Sequence, residues 1–391
     1  MSSVSEKIIS EIVYLDNNAT TPCAPEVLDF MIPFYQTMYG NAGSSHKMGR
    51  QSANAIAVAR QQVADTIGCL DHEVIFTSGA TESNNMVLMG LFRQLRDRNK
   101  IVTCSIEHKS ILAPCHILEE DGFEVQILAV DANGSIDLEE IKQVIDENTL
   151  LVAIQGANNE IGTMQPIQAI SALAHDKGAL IHADLAQLLG KMPIDLGELA
   201  VDFASFSAHK AYGPKGVGAL YIKSDIRGNT QFLPVMHGGG QEYGYRPGTQ
   251  NVPGIVGFGE ACRLVQNKIS SDILFMESLK NELEERLLSA IPGIRINAKN
   301  APRLPNTSSI CIPDVPADML LSNLSKTCIS DGSACNAGAI SPSHVLLAIG
   351  LTRDEADCSI RICVGRYNDM NDIKQACDEI ESAVSKIRQI N

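Results

Sequence analysis

Short apolar runs recur between residues 73 and 223, each separated from the next by a longer polar stretch with helical spacing. They read EVIFTS, KIVTCSIE, EVQILAV, LLVAIQ, ALIHADLA, DFASFSA and GVGALYIK. Runs this short and this continuously apolar belong to strands buried on both faces, with the intervening helices as cover. The pattern predicts an α/β fold with a mostly parallel, seven-stranded sheet.

The texture changes after the glycine-bearing stretches GGGQE and RPGTQN at 238–251. A long helix is predicted to end near Pro292, because Met276, Leu279, Leu283, Leu287 and Ile291 fall on one stripe. Residues 292–367 read as short strands and turns. Ile373, Cys377, Ile380, Val384 and Ile387 then repeat at helical spacing. We therefore expect a large domain over 15–255 and a smaller α+β domain built from 1–14 and 256–391. In sheets of the first kind ligands sit beyond the carboxyl ends of the strands, so the polar residues that follow each apolar run carry the interest.

Composition narrows the field of functions. Thirty-one Lys and Arg stand against 46 Asp and Glu, and a net charge of −15 repels a polyanion, so direct nucleic-acid binding is not expected. The opening MSSVSEKIISEIVYLD carries acidic residues where a signal peptide has a basic flank, and no window approaches ~18 consecutive apolar residues. A cytoplasmic protein with no membrane contact is the expectation. Eleven cysteines are scattered without a CxxC pair, which argues against a disulfide framework or a metal site and for thiols that mostly pack as small hydrophobes.

Four stretches carry candidate chemistry. In HEVIFTSGATESNN (72–85) an apolar strand runs through Ser78, Gly79, Ala80 and Thr81 into a helix with Glu82 in its first turn. Free backbone N–H groups there can cradle a phosphate, although a small-residue turn with a Ser/Thr cap also marks an ordinary helix start. His108 in SIEHKS and Asp184 in LIHADLAQ stand at strand ends. A carboxylate that closes a buried run needs a cationic partner or strong donors. In SFSAHKAYGPKG (205–216) Lys210 follows an apolar strand among Ser207, His209 and a Gly/Pro turn, where a desolvated amine can form a Schiff base. Such an amine together with an acid for a ring nitrogen is the recurring need of pyridoxal enzymes.

With these segments in place the chain resembles the cysteine desulfurases of the NifS/IscS type, within the class-V aminotransferase family of fold-type-I pyridoxal-phosphate enzymes. The resemblance runs from YLDNNATT (14–21) to SIRICVGR (359–366). Between them lie YGNAGSSH, FTSGATESNN, SIEHKS, ANNEIGT, HADLAQ, SFSAHKAYGPKG, HGGGQE, RPGTQN and DGSACNAG in fixed order. It implies that Lys210 holds pyridoxal 5'-phosphate covalently, that Asp184 pairs with the ring nitrogen and that His108 stacks on the ring and moves protons. Asn159 and Gln187 fall near the phenolic oxygen and the substrate. Ala80, Thr81, Ser207 and His209 match the phosphate cup, and Thr249 matches a residue that reaches the phosphate from a neighbouring subunit, hence a homodimer with shared active sites. Arg361 matches the clamp on the substrate carboxylate, with Asn41 as its helper. Ala42, Gly43 and Pro247 depart from the family's usual residues, and the C-terminal extension that iron–sulfur-assembly members use to dock a scaffold is expected to be lacking.

Cys335 decides the reaction that the resemblance implies. It lies in ISDGSACNAG, a run of small residues that reads as a mobile loop at about 328–340, the place of the family's sulfur-accepting cysteine. The implied chemistry removes sulfur from L-cysteine, leaves L-alanine, and passes the sulfur as a persulfide from Cys335 to an acceptor protein. Iron–sulfur assembly and the thiolation of nucleic acids or cofactors would all draw on it. His108 is the candidate for taking the thiol proton. A selenocysteine lyase or another enzyme of this fold is the alternative on the same scaffold, and an inactive sulfur-relay protein the alternative of another class. Cys328 is expected as a plain buried thiol rather than a partner for Cys335.

Overall fold

The structure, a computed structural model, describes residues 12–92, 98–226, 232–331 and 342–390. The chain enters as a two-residue strand, β1 (Val13–Tyr14), and passes through helices Pro25–Gln36 and Lys47–Ile67. Seven strands follow: β2 (Val74–Thr77), β3 (Lys100–Cys104), β4 (Glu124–Leu128), β5 (Thr149–Gln155), β6 (Leu180–Asp184), β7 (Phe203–Ser207) and β8 (Gly218–Ile222). Each coincides with one of the seven apolar runs.

These strands form one sheet in the order β2-β8-β7-β6-β5-β3-β4. Only β8 runs against its neighbours, β2 and β7; the other pairs are parallel. Both faces are covered, and the alternation along β5 shows it. Val152 and Ile154 pack with Val74, Phe76, Ile181 and Phe206 on one face, while Leu151 and Ala153 pack with Ile75, Ile101, Phe203 and Leu220 on the other. Every residue of β5 is buried, and its centre, residues 150–154, is accordingly continuously apolar. The chain lays β3 and β4 outward in one direction, then returns to place β5 on the other side of β3. That reversal opens a crevice at the carboxyl ends of β3 and β5, with β6 next to it.

A helix of 39 residues, Val252–Ala290, leaves this sheet. Asn251 caps it by accepting from Gly254 N, and Pro253 lies in its first turn, where a missing N–H costs nothing. Val252, Ile255, Phe258, Cys262 and Val265 pack into the first core. Met276, Leu279, Leu283 and Leu287 instead join Val13, Leu15, Ile310, Ile360 and Ile362 in a second core. One helix thus serves both cores. The second core is completed by helix Met370–Ile390, whose Ile373, Cys377, Ile380, Val384 and Ile387 are buried as their spacing predicts.

The smaller sheet has β10 (Thr307–Cys311) between β9 (Arg295–Ile296) and β12 (Ser359–Cys363), all antiparallel, with β11 (Thr327–Cys328) pairing with β1. Cys328, at the end of β11, is exposed, contrary to the expectation of a buried thiol: a two-residue strand paired on one side leaves its last side chain uncovered. Among the described residues no helix is long and apolar enough to cross a membrane.

Candidate active site

A cavity of about 570 Å³ opens where the strand order reverses, beyond the carboxyl ends of the parallel strands. One end is a cradle of backbone. β2 runs into Ser78 and Gly79, and the first intrahelical bond of helix Ala80–Leu91 is Ser83 N to Gly79 O, so the N–H groups of Ala80, Thr81 and Glu82 precede it. Gly79 has φ 155° and ψ 177°, a conformation only glycine adopts freely, and a Cβ on Gly218 would meet Gly79 Cα at 2.6 Å. Two glycines therefore let this turn lie against β8. Glu82 accepts from Ser78 N at 2.7 Å and from Arg246 Nε at 2.9 Å. Burial raises its pKa, but these donors outweigh it and hold the carboxyl below its usual value. Ser207, His209, Lys215 and Gly216 close the same end. His209 is kept neutral by burial and then by Lys210 and Lys215, with a pKa lowered to about 4.

The middle of the cavity holds the amine, the carboxylate and the imidazole. Lys210 ends the short turn Ala208–Lys210 that follows β7, and its Nζ donates to Asn18 O at 2.5 Å and Ala19 O at 2.9 Å. Asp184, the last residue of β6, is buried and takes hydrogen bonds from Asn84 Nδ2 at 2.7 Å and Ala186 N at 3.0 Å. The same Asn84 amide donates to Ser110 Oγ at 2.8 Å, and Ser110 Oγ stands 2.7 Å from His108 Nδ1. His108 caps helix Lys109–Glu120, with Ser110 N donating to its Nδ1 at 3.1 Å. Nδ1 is therefore an acceptor, and the neutral ring carries its proton on Nε2. Burial lowers the pKa of His108, Asp184 pulls it back up, and Lys210 lowers it again, which keeps the ring neutral at pH 7.

The far wall comes from the second sheet. Arg361, in β12, is buried, and its Nη2 meets Asp16 Oδ1 at 2.6 Å while Nη1 reaches Asn159 O at 3.3 Å. Its Nε is buried with no hydrogen-bond partner among the described residues. A buried donor without an acceptor is costly, and an oxygen of a ligand or a water would relieve it. Beside it Glu160 accepts from Ser343 Oγ at 2.5 Å. Burial lifts its pKa to about 7, only partly offset by Ser343 and Arg361.

Ala80, Thr81, His108, Asn159, Asp184, Gln187, Ser207, His209, Lys210 and Arg361 all line this one cavity. Asn41 and Thr249 do not; both are exposed on the surface, with Asn41 Oδ1 taken up by Gly43 N at 2.8 Å. Cys335 lies outside the described residues. The sequence patterns gave no sign of Asn18 and Ala19, which carry the carbonyls under Lys210, of Thr20, whose hydroxyl meets His209 Nδ1, or of Asn84, Ser110, Gln155 and Lys215. Asn18 and Asn84 had no local signal, since their value comes from contacts with residues 100 or more positions away.

The donor set fits pyridoxal phosphate: an anion cradle, a reactive amine, a buried carboxylate for a ring nitrogen and a guanidinium for a substrate carboxylate, around one volume. The model of the aminotransferase class-V family matches residues 13–376. A "cysteine desulfurase IscS" of Dictyoglomus turgidum is 40% identical over 97% of this chain and 96% of its own length. The solved structure of a "NifS-like protein" superposes with a TM-score of 0.87 at 38% identity, covering 96% of this chain and 100% of that one. That of "SspA in complex with cysteine" does so with a TM-score of 0.80 at 36% identity, over 91% and 99%. Similarity of this extent, across both cores and the cavity between them, makes the chain a member of the class-V aminotransferase family, among the cysteine desulfurases of the NifS/IscS type.

Proposed function

We propose that this chain takes sulfur from L-cysteine with pyridoxal 5'-phosphate bound in the cavity, forming L-alanine and a persulfide on Cys335. The observation that carries the reading is the convergence of Lys210, Asp184, the backbone cradle and Arg361 on one volume. When bound, the cofactor supplies an electron sink conjugated to the substrate's Cα and Cβ. Ala80, Thr81, Ser207 and His209 would hold its phosphate, Lys210 its aldehyde carbon, Asp184 its protonated nitrogen and Gln187 its phenolic oxygen.

The chain's own groups then divide the work. Arg361 orients the substrate carboxylate through its unpartnered Nε, the kind of charge-assisted contact that fixes geometry as well as affinity. Lys210 Nζ, released by the incoming amine, takes the Cα proton and gives one back. His108 enters as a donor from Nε2. The thiolate of Cys335 attacks the substrate sulfur: an S–S bond forms, the Cβ–S bond breaks, its electron pair leaves toward carbon, and a proton there completes alanine. Ser330 N and O bond Arg361 O and N at 3.2 and 2.6 Å. Only four residues lie between Ser330 and Cys335 in sequence, a chain contour of at most ~18 Å.

The reading extends to a homodimer. Phe30 and Tyr35 in helix Pro25–Gln36 are 53% and 64% exposed and Tyr39, just beyond it, is 69% exposed, large apolar side chains that a second copy would cover. Thr249, outside its own cavity, would then serve the partner's. A cytoplasmic setting suits ten described cysteines that are all free thiols. The acceptor is a protein that collects the persulfide. Loaded with cofactor and given L-cysteine and a reductant, the protein should release alanine and sulfide in equal amounts. Cys335→Ser should keep the visible absorbance band and lose turnover; a parent rate in that variant removes the persulfide step.

A further inference from the structure

Lys191 is 3% exposed, and no carboxylate lies within ion-pair distance of it among the described residues. A lysine this deep is costly unless it serves a purpose. Its Nζ donates to Gln187 Oε1 at 2.9 Å and to Gln187 O at 3.3 Å. Gln187 Nε2 in turn donates to Asn18 O at 3.0 Å, the carbonyl that also takes Lys210 Nζ. Lysine has only donors to offer, so the Gln187 amide must turn its oxygen to Lys191 and its NH₂ to the cavity. A carboxamide is otherwise free to flip and present either group.

We propose that Lys191 is a positioning residue that locks Gln187 with its N–H toward the cavity, where it donates to the phenolic oxygen of the cofactor and stabilises that oxygen as an anion. The proposal rests on the cofactor reading given above. The charges around Lys191 are Lys210 from the turn after β7 and Arg361 from β12, with the buried Cys363 thiol beside it. Burial first, and then Lys210, lowers its pKa to about 7. The lock is complete in the ammonium form, which has no acceptor; the neutral amine keeps N–H groups for Gln187 Oε1 but gains a lone pair, so the orientation is held most firmly below that pKa.

The readout is the pH at which the visible band of the holoenzyme changes, which follows the proton shared between the phenolic oxygen and the Lys210 nitrogen. Loss of the donor makes that oxygen hold its proton more tightly. Lys191→Met should therefore move the transition up by about one pH unit, a roughly tenfold change in proton affinity. Lys191→Gln, which keeps an N–H in place, should move it by less than half as much. Gln187→Ala should reproduce the Lys191→Met shift, and adding Lys191→Met to Gln187→Ala should move it no further. An unmoved transition in Lys191→Met, or a full second shift in the double variant, overturns the proposal. Should Met at 191 prevent folding, Lys191→Gln in the Gln187→Ala and parent backgrounds carries the same cycle. Failure of the parent protein to take up pyridoxal phosphate overturns the functional reading; normal uptake with an unmoved transition overturns only the role of Lys191.

Discussion

The cavity has two walls of different construction. The strand-end wall is made locally: Ser207 and Asp184 end strands, Lys210 ends the turn after one, His108 caps a helix, and the cradle is backbone held by glycines. Each group stands where its own element stops. The wall from the second sheet is made at long range, from Asp16, Asn159 and Arg361, with 345 positions separating the ion pair. Its members are held by charge and buried hydrogen bonds, and Glu160 beside them has a pKa near neutrality. The contrast teaches that the chemistry and the substrate grip are set by different physics. Covalent placement is insensitive to pH, whereas a charge cluster is not.

The largest break in this comparison comes from the local wall. Lys210→Ala should lower turnover by ~10³-fold or more and remove the visible band that borohydride bleaches, while the thermal unfolding midpoint stays near the parent's. A large stability loss with it would mean that the amine is structural. Arg361→Ala tests the other wall: kcat/KM for cysteine should fall by about 10²-fold, mainly through KM, and Arg361→Lys should not recover it, because an ammonium lacks the planar fork. Equal loss for a substrate without a carboxylate would remove the clamp.

The smallest effect concerns pH. Glu160 is raised from 4.5 to about 7 in the folded chain. The folded state thus keeps a proton that the unfolded state gives up, and this group's contribution to stability falls as pH rises from about 4.5 to about 7, then levels. Glu107, buried against Cys104 and Gln155 and raised to about 8, adds a slope of the same sign that extends further. Denaturant unfolding should therefore show Glu160→Gln gaining on the parent between pH 5 and pH 8. A difference that does not change with pH would mean that Glu160 is ionised throughout.

Much of this was legible in the chain itself. Seven apolar runs became seven strands, and the stripes at 276–291 and 373–387 became buried helix faces, because period and burial are written locally. Lys210, Asp184, His108 and the cradle were also legible, since strand ends and caps follow from the same patterns. Asn18 and Asn84 were not, nor was the burial of Arg361 and Lys191, since a single charged residue carries no mark of burial in its own neighbours. Their surroundings exist only after β1 pairs with β11 and β12 is carried across to the strand ends. Sequence alone determined the elements and the chemistry at their tips, through short-range periodicity and turn geometry. Tertiary structure alone decided which distant tips share a cavity, because strand order and the crossing of the two cores are global choices that no local window contains.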